Sequence, residues 1–256
     1  MSLPAYHWWR TVFYLIPAVT LFTIACGIPS LLSTLIDRRG HMAHRWARRW
    51  ARLILATTGV TVERAGAALP APATSVVFVV NHASIYDIPV LFTALPCQLR
   101  IIAKAALGRV PFIGWHLNLS GHMLVDRSRP GAAIFKRMRR MARHEASLIV
   151  FPEGSRSSDG SVGRFKGGMF LLAIESGLPI VPVSLSNMRA VMPKGRLMVC
   201  PAHARVVIHP PVPTAGLTRD DARALAIEVQ RIVASGVSAG LESCDASRSV
   251  GETPCP

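Results

Sequence analysis

From Thr11 to Ile36 the chain carries no charged side chain, a run bracketed by Arg10 on one side and by Asp37, Arg38 and Arg39 on the other. As one helix such a stretch is long enough to cross the hydrocarbon core of a bilayer. Pro17, Gly27 and Pro29 interrupt it, so a kinked or hairpin segment dipping into one leaflet competes with a span. Arg at both ends gives no clear orientation. His41 to Leu55 follows, with Trp46, Trp50 and Leu53 at helical spacing and Arg45, Arg48, Arg49 and Arg52 between them. That pattern suits an interfacial helix, and it also suits a helix with one face on a core and a solvated back. Trp8, Trp9, Trp46 and Trp50 all fall in the first fifty residues, and this clustering favours the membrane interface.

Beyond Thr61 the pattern changes to short apolar runs alternating with helical stretches. Ser75–Val80, Leu99–Ala103, His122–Val125, Ser147–Phe151 and Pro179–Ser184 read as strands; Asp87–Leu95, Pro130–His144 and Gly167–Ser176 read as helices between them. Such alternation predicts an α/β fold, with a sheet covered by helices on both faces and its sites at strand ends. Leu197–Pro210 reads as a terminal hairpin and Thr218–Ala234 as a capped helix; after Gly236 the sequence turns small and polar without periodicity. Residues 1–60, 61–236 and 237–256 are therefore expected as an N-terminal membrane-anchoring helical segment, one folded domain and a disordered tail.

Charge sharpens this picture. The 256 residues carry 29 Lys plus Arg against 14 Asp plus Glu, a formal +15, yet half are hydrophobic and mean hydropathy is +0.35. Dominant disorder is excluded by the apolar content. All but four of the cations are Arg, which binds phosphate and carboxylate in a fork, so an anionic partner is expected. Residues 1–60 hold seven Arg and one Asp around the apolar run, which reads as attachment to an anionic surface. No helix-turn-helix, finger or RNA-binding signature is present, so nucleic acid is not the expected partner. The five cysteines include no CxxC pair and read as fillers or tail residues, and the histidines show no ligand spacing, so neither a disulfide framework nor a metal site is expected.

The candidate chemistry follows the strands. Asn81-His82-Ala83-Ser84-Ile85-Tyr86-Asp87 directly succeeds the first strand and puts a carboxylate within reach of an imidazole. A histidine oriented by an aspartate takes a proton from an alcohol near neutral pH, because its ordinary pKa is matched to that transfer. By itself His-x4-Asp is a common pairing. Three further blocks give it weight: Ile102-Ala103-Lys104 running on through Pro111-Phe112-Ile113-Gly114-Trp115 to Gly121-His122-Met123-Leu124-Val125-Asp126-Arg127; Phe151-Pro152-Glu153-Gly154-Ser155-Arg156; and Leu178-Pro179-Ile180-Val181-Pro182-Val183.

In their order and spacing, these blocks resemble those of the glycerophospholipid acyltransferases, most closely the bacterial 1-acyl-sn-glycerol-3-phosphate acyltransferases. The resemblance covers about residues 75 to 185, with Ser155 where threonine is commoner. It implies a single acyltransferase domain with a mixed, largely parallel central sheet, acting at a bacterial inner membrane with its active site facing the cytoplasm. It implies His82 as general base and Asp87 as its support; Lys104, Arg127, Glu153, Gly154 and Arg156 on the acceptor's phosphate side; and Pro182 on the acyl-donor side. The implied reaction moves a fatty acyl group from acyl-CoA or acyl carrier protein to the sn-2 hydroxyl of a lysophospholipid. No tightly bound cofactor is needed. The same chemistry on lyso-ornithine lipid, glycerol 3-phosphate or another lysophospholipid is the alternative, and a non-catalytic membrane-binding protein a further one.

Overall fold

The computed structural model describes residues 6–37, 39–68, 75–125 and 146–248, with side chains as far as Ser238. The apolar run forms one continuous helix, α1 (Tyr6–Ser33), and no hairpin. A wider π turn at Thr11–Leu15 precedes Pro17, and Pro29 is taken up inside the helix. This is the helix among the described residues that is long and apolar enough to cross a membrane. One side of it is docked along the domain, while Phe13, Tyr14, Leu21, Ile28, Leu32 and others remain exposed.

The second helix, α2 (His41–Thr58), ends on Gly59, whose φ of 77° is cheap only for glycine. The Arg10 guanidinium reaches from α1 to the Thr57 and Thr58 carbonyls at 3.2 and 3.0 Å, a cation placed against the negative end of the helix dipole. Thr11 Oγ1 accepts from the Val199 amide at 2.9 Å, and the Trp50 indole donates to Thr23 Oγ1 at 3.1 Å. Trp46 and Trp50, both half-buried, line the apolar cavity described below. The expectation that these two tryptophans face lipid is therefore corrected: they face inward, and the lipid-ready surface belongs to α1.

The remaining elements are β1 (Val60–Gly66), β2 (Val77–Val80), α3 (Asp87–Ala94), β3 (Gln98–Lys104), α4 (Ile113–Leu119), β4 (Met123–Val125), β5 (Ala146–Val150), α5 (Gly168–Ser176), β6 (Ile180–Ser186), α6 (Met188–Val191), β7 (Ala202–Ile208) and α7 (Ala222–Arg248). Seven strands make one sheet in the order β1-β7-β6-β2-β5-β3-β4, parallel at each pairing except β6–β7. The fold is thus α/β with a mixed, largely parallel sheet. Strand β2 explains its own burial: Phe78 and Val80 pack under α2 and α3 with Leu55 and Leu91, while Val77 and Val79 pack on the other face with Phe170 of α5 and Val229 of α7. A strand covered on both faces reads as an unbroken apolar run.

Three expectations are revised. Leu197–Pro210 is no hairpin; Ala202–Ile208 is a single strand that pairs with β1, remote in sequence, and with β6, the strand before it, and Met198–Cys200 pack into the core instead. The last helix continues past 236 to Arg248, with Val237 buried and its carbonyl accepting from Ser186 Oγ, so the ordered domain does not stop at 236. Cys200 is disulfide-bonded, whereas Cys26 and Cys97 are free. The expected helix at Pro130–His144 lies outside the described residues.

Candidate active site

Strands β2, β5, β3 and β6 run parallel, so their carboxyl ends share one edge of the sheet. The chain leaves β2 towards β3 on one side and returns from β5 to β6 on the other. A crevice therefore opens at the ends of β2 and β5, where α/β sheets bind ligands. The described candidate residues other than Pro182 lie at or just beyond these strand ends.

Asn81 begins the site by extending the sheet without a strand. Its side-chain amide donates to the Leu185 carbonyl at 2.9 Å and its oxygen accepts from the Leu185 amide at 2.8 Å, so it imitates a backbone pair with β6. The chain can then turn sharply at His82. His82 Nδ1 lies 2.6 Å from Asp87 Oδ2, and the same oxygen accepts the amides of Ala83 and Ser84 at 2.9 and 3.1 Å. Asp87 is fully buried as the first residue of α3, where the helix dipole favours a carboxylate. Burial pushes its carboxyl up, and the His82 contact and the two amides pull it back. An oxygen receiving two amides is an acceptor, so the network assigns the proton to His82 Nδ1 and leaves Nε2 unprotonated. The His82 side chain keeps 20% exposure and stacks on Phe151 at 4.2 Å between ring centres. The pair can take a proton from a ligand hydroxyl and hold the resulting imidazolium.

Block three is interlocked with block one through the backbone. The His82 amide donates to Glu153 Oε1 at 2.8 Å, and the Ser157 amide donates to the His82 carbonyl at 2.7 Å. Glu153 Oε2 accepts the Gly163 amide at 3.0 Å. Burial raises the Glu153 carboxyl, and these two amides oppose that. Both oxygens are thus spent on positioning the turn rather than on a ligand. Replacing Glu153 by Ala is expected to cut turnover about tenfold while leaving the acceptor's KM nearly unchanged, because one charge-assisted bond holding His82 is lost; steady-state kinetics check this.

Other candidates fall less uniformly. Gly154 turns with φ of 79°, a left-handed conformation that brings the backbone close to its neighbours. Arg156 is half-buried just beyond it, and Lys104 is exposed at the end of β3. Arg127 lies outside the described residues. Pro182 is buried within β6, its carbonyl accepting the His209 amide at 3.0 Å, and it does not line the cavity.

Sequence reasoning missed the cavity. Its volume is about 370 Å³ and its lining is nearly all apolar: α1 contributes Val19 and Gly27, α2 contributes Trp46 and Trp50, and α3 and α4 contribute Phe92 and Leu117. Ile85 and Tyr86, in the turn between His82 and Asp87, line it too. Side chains spread from Val19 to His122 build it, so no local motif announces it.

A family model described as "Acyltransferase" matches residues 62–186. The chain is 33% identical over 223 residues to the 1-acyl-sn-glycerol-3-phosphate acyltransferase of Saccharomyces cerevisiae, covering 82% of this chain and 73% of that one. The chain belongs to this acyltransferase family. The acyltransferase is also 32% identical over 221 residues to a chloroplastic 1-acyl-sn-glycerol-3-phosphate acyltransferase of Brassica napus; the match covers 84% of this chain and spans 63% of the relative's length. In fold the acyltransferase matches the 1-acyl-sn-glycerophosphate (LPA) acyltransferase of Thermotoga maritima, with a TM-score of 0.74 at 23% identity over 90% of this chain and 96% of that one.

Proposed function

We propose that the chain transfers a fatty acyl group from an acyl thioester to the sn-2 hydroxyl of 1-acyl-sn-glycerol 3-phosphate, forming phosphatidic acid. The observation that carries this reading is the His82–Asp87 pair at 2.6 Å, in a turn whose Ile85 and Tyr86 also wall an apolar cavity. Proton acceptor and acyl-sized cavity share one turn. His82 Nε2 takes the acceptor's hydroxyl proton as its oxygen attacks the thioester carbonyl carbon. Asp87 holds the imidazolium. The tetrahedral intermediate collapses with cleavage of the carbon–sulfur bond, and the imidazolium returns the proton to the departing thiol of coenzyme A or acyl carrier protein.

Transfer is direct, with no acyl-enzyme. Lys104, Arg156 and Arg127 supply positive charge on the acceptor's phosphate side. The exposed apolar face of α1 and the arginines that flank it support membrane association; the bacterial inner membrane and a cytoplasm-facing site rest on the block resemblance.

Thiol release by the membrane-embedded protein, measured with acyl-CoA or acyl carrier protein and a panel of acceptors, tests the reading. Lysophosphatidic acid is expected to be the best acceptor, ahead of glycerol 3-phosphate, lyso-ornithine lipid and other lysophospholipids. Faster turnover of a phosphate-free acceptor overturns it.

A further inference from the structure

The chain draws nearly all its positive charge from arginine, having only Lys104, Lys136, Lys166 and Lys194 as lysines. Two of these four flank the Glu153-Gly154-Ser155-Arg156 turn. A Cβ built on Gly154 would stand 2.9 Å from Lys166 Nζ, so the ammonium sits in the space that glycine leaves open. The Lys166 amide donates to the Pro152 carbonyl at 3.1 Å, which anchors the residue to the start of the turn. From the other side, Lys194 Nζ donates to the Arg156 carbonyl at 2.8 Å.

Lys194 reaches this position because the segment after β6 is tied to both site loops. Asn187, with φ of 63°, turns the chain out of β6. Ser84 Oγ, from the His82 turn, donates to the Met192 carbonyl at 3.1 Å, and the Arg189 guanidinium donates to the Asp159 carbonyl at 3.1 Å. The segment thus bridges the turn that holds the proton acceptor and the turn that carries Arg156.

The neighbouring carboxylates are already committed. Asp87 is taken by His82 and two amides, Glu153 by the amides of His82 and Gly163, and Asp159 by the hydroxyls of Ser157 and Ser161. Among the described residues, neither lysine forms an ion pair with an acidic side chain. Exposed ammonium groups converging on one turn without internal counterions are arranged for an anion from outside.

We infer that Lys166 and Lys194 are acceptor-binding residues that complete, with Arg156, a three-cation seat for the acceptor's phosphate around the 153–156 turn. This rests on the acyl-transfer reading above and adds residues to it. Arg156 offers a planar fork to two phosphate oxygens, and the two ammonium groups are point charges that fit the remaining faces of a tetrahedral dianion. Lys194 also acts through the backbone, since its bond to the Arg156 carbonyl fixes the chain that presents the guanidinium.

The test uses the full-length protein with Lys166→Met, Lys194→Met and Lys194→Arg substitutions. Each methionine variant is expected to raise the KM for lysophosphatidic acid about tenfold, the effect of losing one charge-assisted contact. The KM for the acyl donor is expected to stay within about twofold, and Lys194→Arg to recover most of the loss. Calorimetric titration with glycerol 3-phosphate provides a readout independent of turnover. Wild-type protein is expected to bind it, with about tenfold weaker binding in each methionine variant and thermal melts unchanged. Unaltered glycerol 3-phosphate affinity in both methionine variants, or equal rises in donor and acceptor KM, overturns the inference. Failure of the acyl-transfer reading shows differently: wild-type protein would release no thiol with any acceptor, while the titration would still report on the lysines.

Discussion

Replacing His82 with Ala is expected to lower acyl transfer by about three orders of magnitude, within the range that a positioned general base contributes. The variant should stay folded and membrane-bound, because the bonds that hold this turn are made by backbone groups. Glu153 takes the His82 amide and Ser157 donates to the His82 carbonyl, and neither contact needs the imidazole. Asp87→Asn is expected to come within about tenfold of the same loss by a different route. Asp87 Oδ2 alone accepts the Ala83 and Ser84 amides and contacts His82 Nδ1, so the carboxamide oxygen takes its place and the NH2 takes that of Oδ1, which has no hydrogen-bond partner among the described residues. The ring proton stays on Nδ1, and what is lost is the negative charge that holds the imidazolium once Nε2 has taken the acceptor's proton. Thiol-release kinetics over a range of acceptor concentrations read both effects. The loss should fall on kcat in each case, and turnover of His82→Ala near the wild-type rate would remove His82 from the mechanism.

The sequence made the chemistry more legible than the architecture. His82, Asp87 and Glu153 could be named because each follows a strand whose apolar run is plain, and because a sheet's carboxyl edge collects such residues whatever their separation along the chain. Their individual roles were less visible. Glu153 resembles a ligand residue in its block, yet its oxygens bind the His82 and Gly163 amides, and backbone partners leave no mark in a residue pattern. Strand β1 was missed because Val60–Gly66 mixes Glu63 and Arg64 into an edge strand, and because β7, its parallel partner, lies far along the chain. Trp46 and Trp50 misled for a related reason. An amphipathic helix says which face is apolar, and only the packing of α1 against that face says it is covered. Lys166 and Lys194 carried no signal beyond the rarity of lysine, since the turn that gathers them is built from three separate segments.

Acid is expected to unfold this protein well before its carboxylates are protonated, because three histidines are buried around one arginine. His44 is held at about 3, chiefly by burial and then by the Arg100 and Arg48 charges. His116 is held at about 4 by burial and Arg100, and His122 well below its ordinary value by burial, with His116 and Arg100 adding to it. Arg100 is itself buried, donating to the Arg39 carbonyl at 2.8 Å, and cannot give up its charge to relieve them. A base whose pKa is lower in the fold than in the unfolded chain leaves stability flat above its unfolded value, near 6.5. Below that, the unfolded chain binds protons first, and stability falls with pH until the folded values of about 4 for His116 and about 3 for His44 are reached. The slope is about 1.4 kcal/mol per pH unit for each histidine kept neutral. With total stabilities of roughly 5–15 kcal/mol, two pH units suffice to unfold the domain or bring it close. These side chains also tie the cavity together: His116 Nδ1 is 2.7 Å from Ser30 Oγ of α1, His44 packs its ring on Phe92 of α3, and His122 accepts the Ile101 amide of β3 at 3.0 Å. Thermal melts of detergent-solubilised protein from pH 7.5 to 4.5 should therefore show a melting temperature constant above 6.5 and falling steeply below. The His44→Leu variant should lose about 1.4 kcal/mol per unit of that slope, whatever its stability at pH 7.5. Parallel slopes for wild type and variant would show that His44 is not held neutral by the fold.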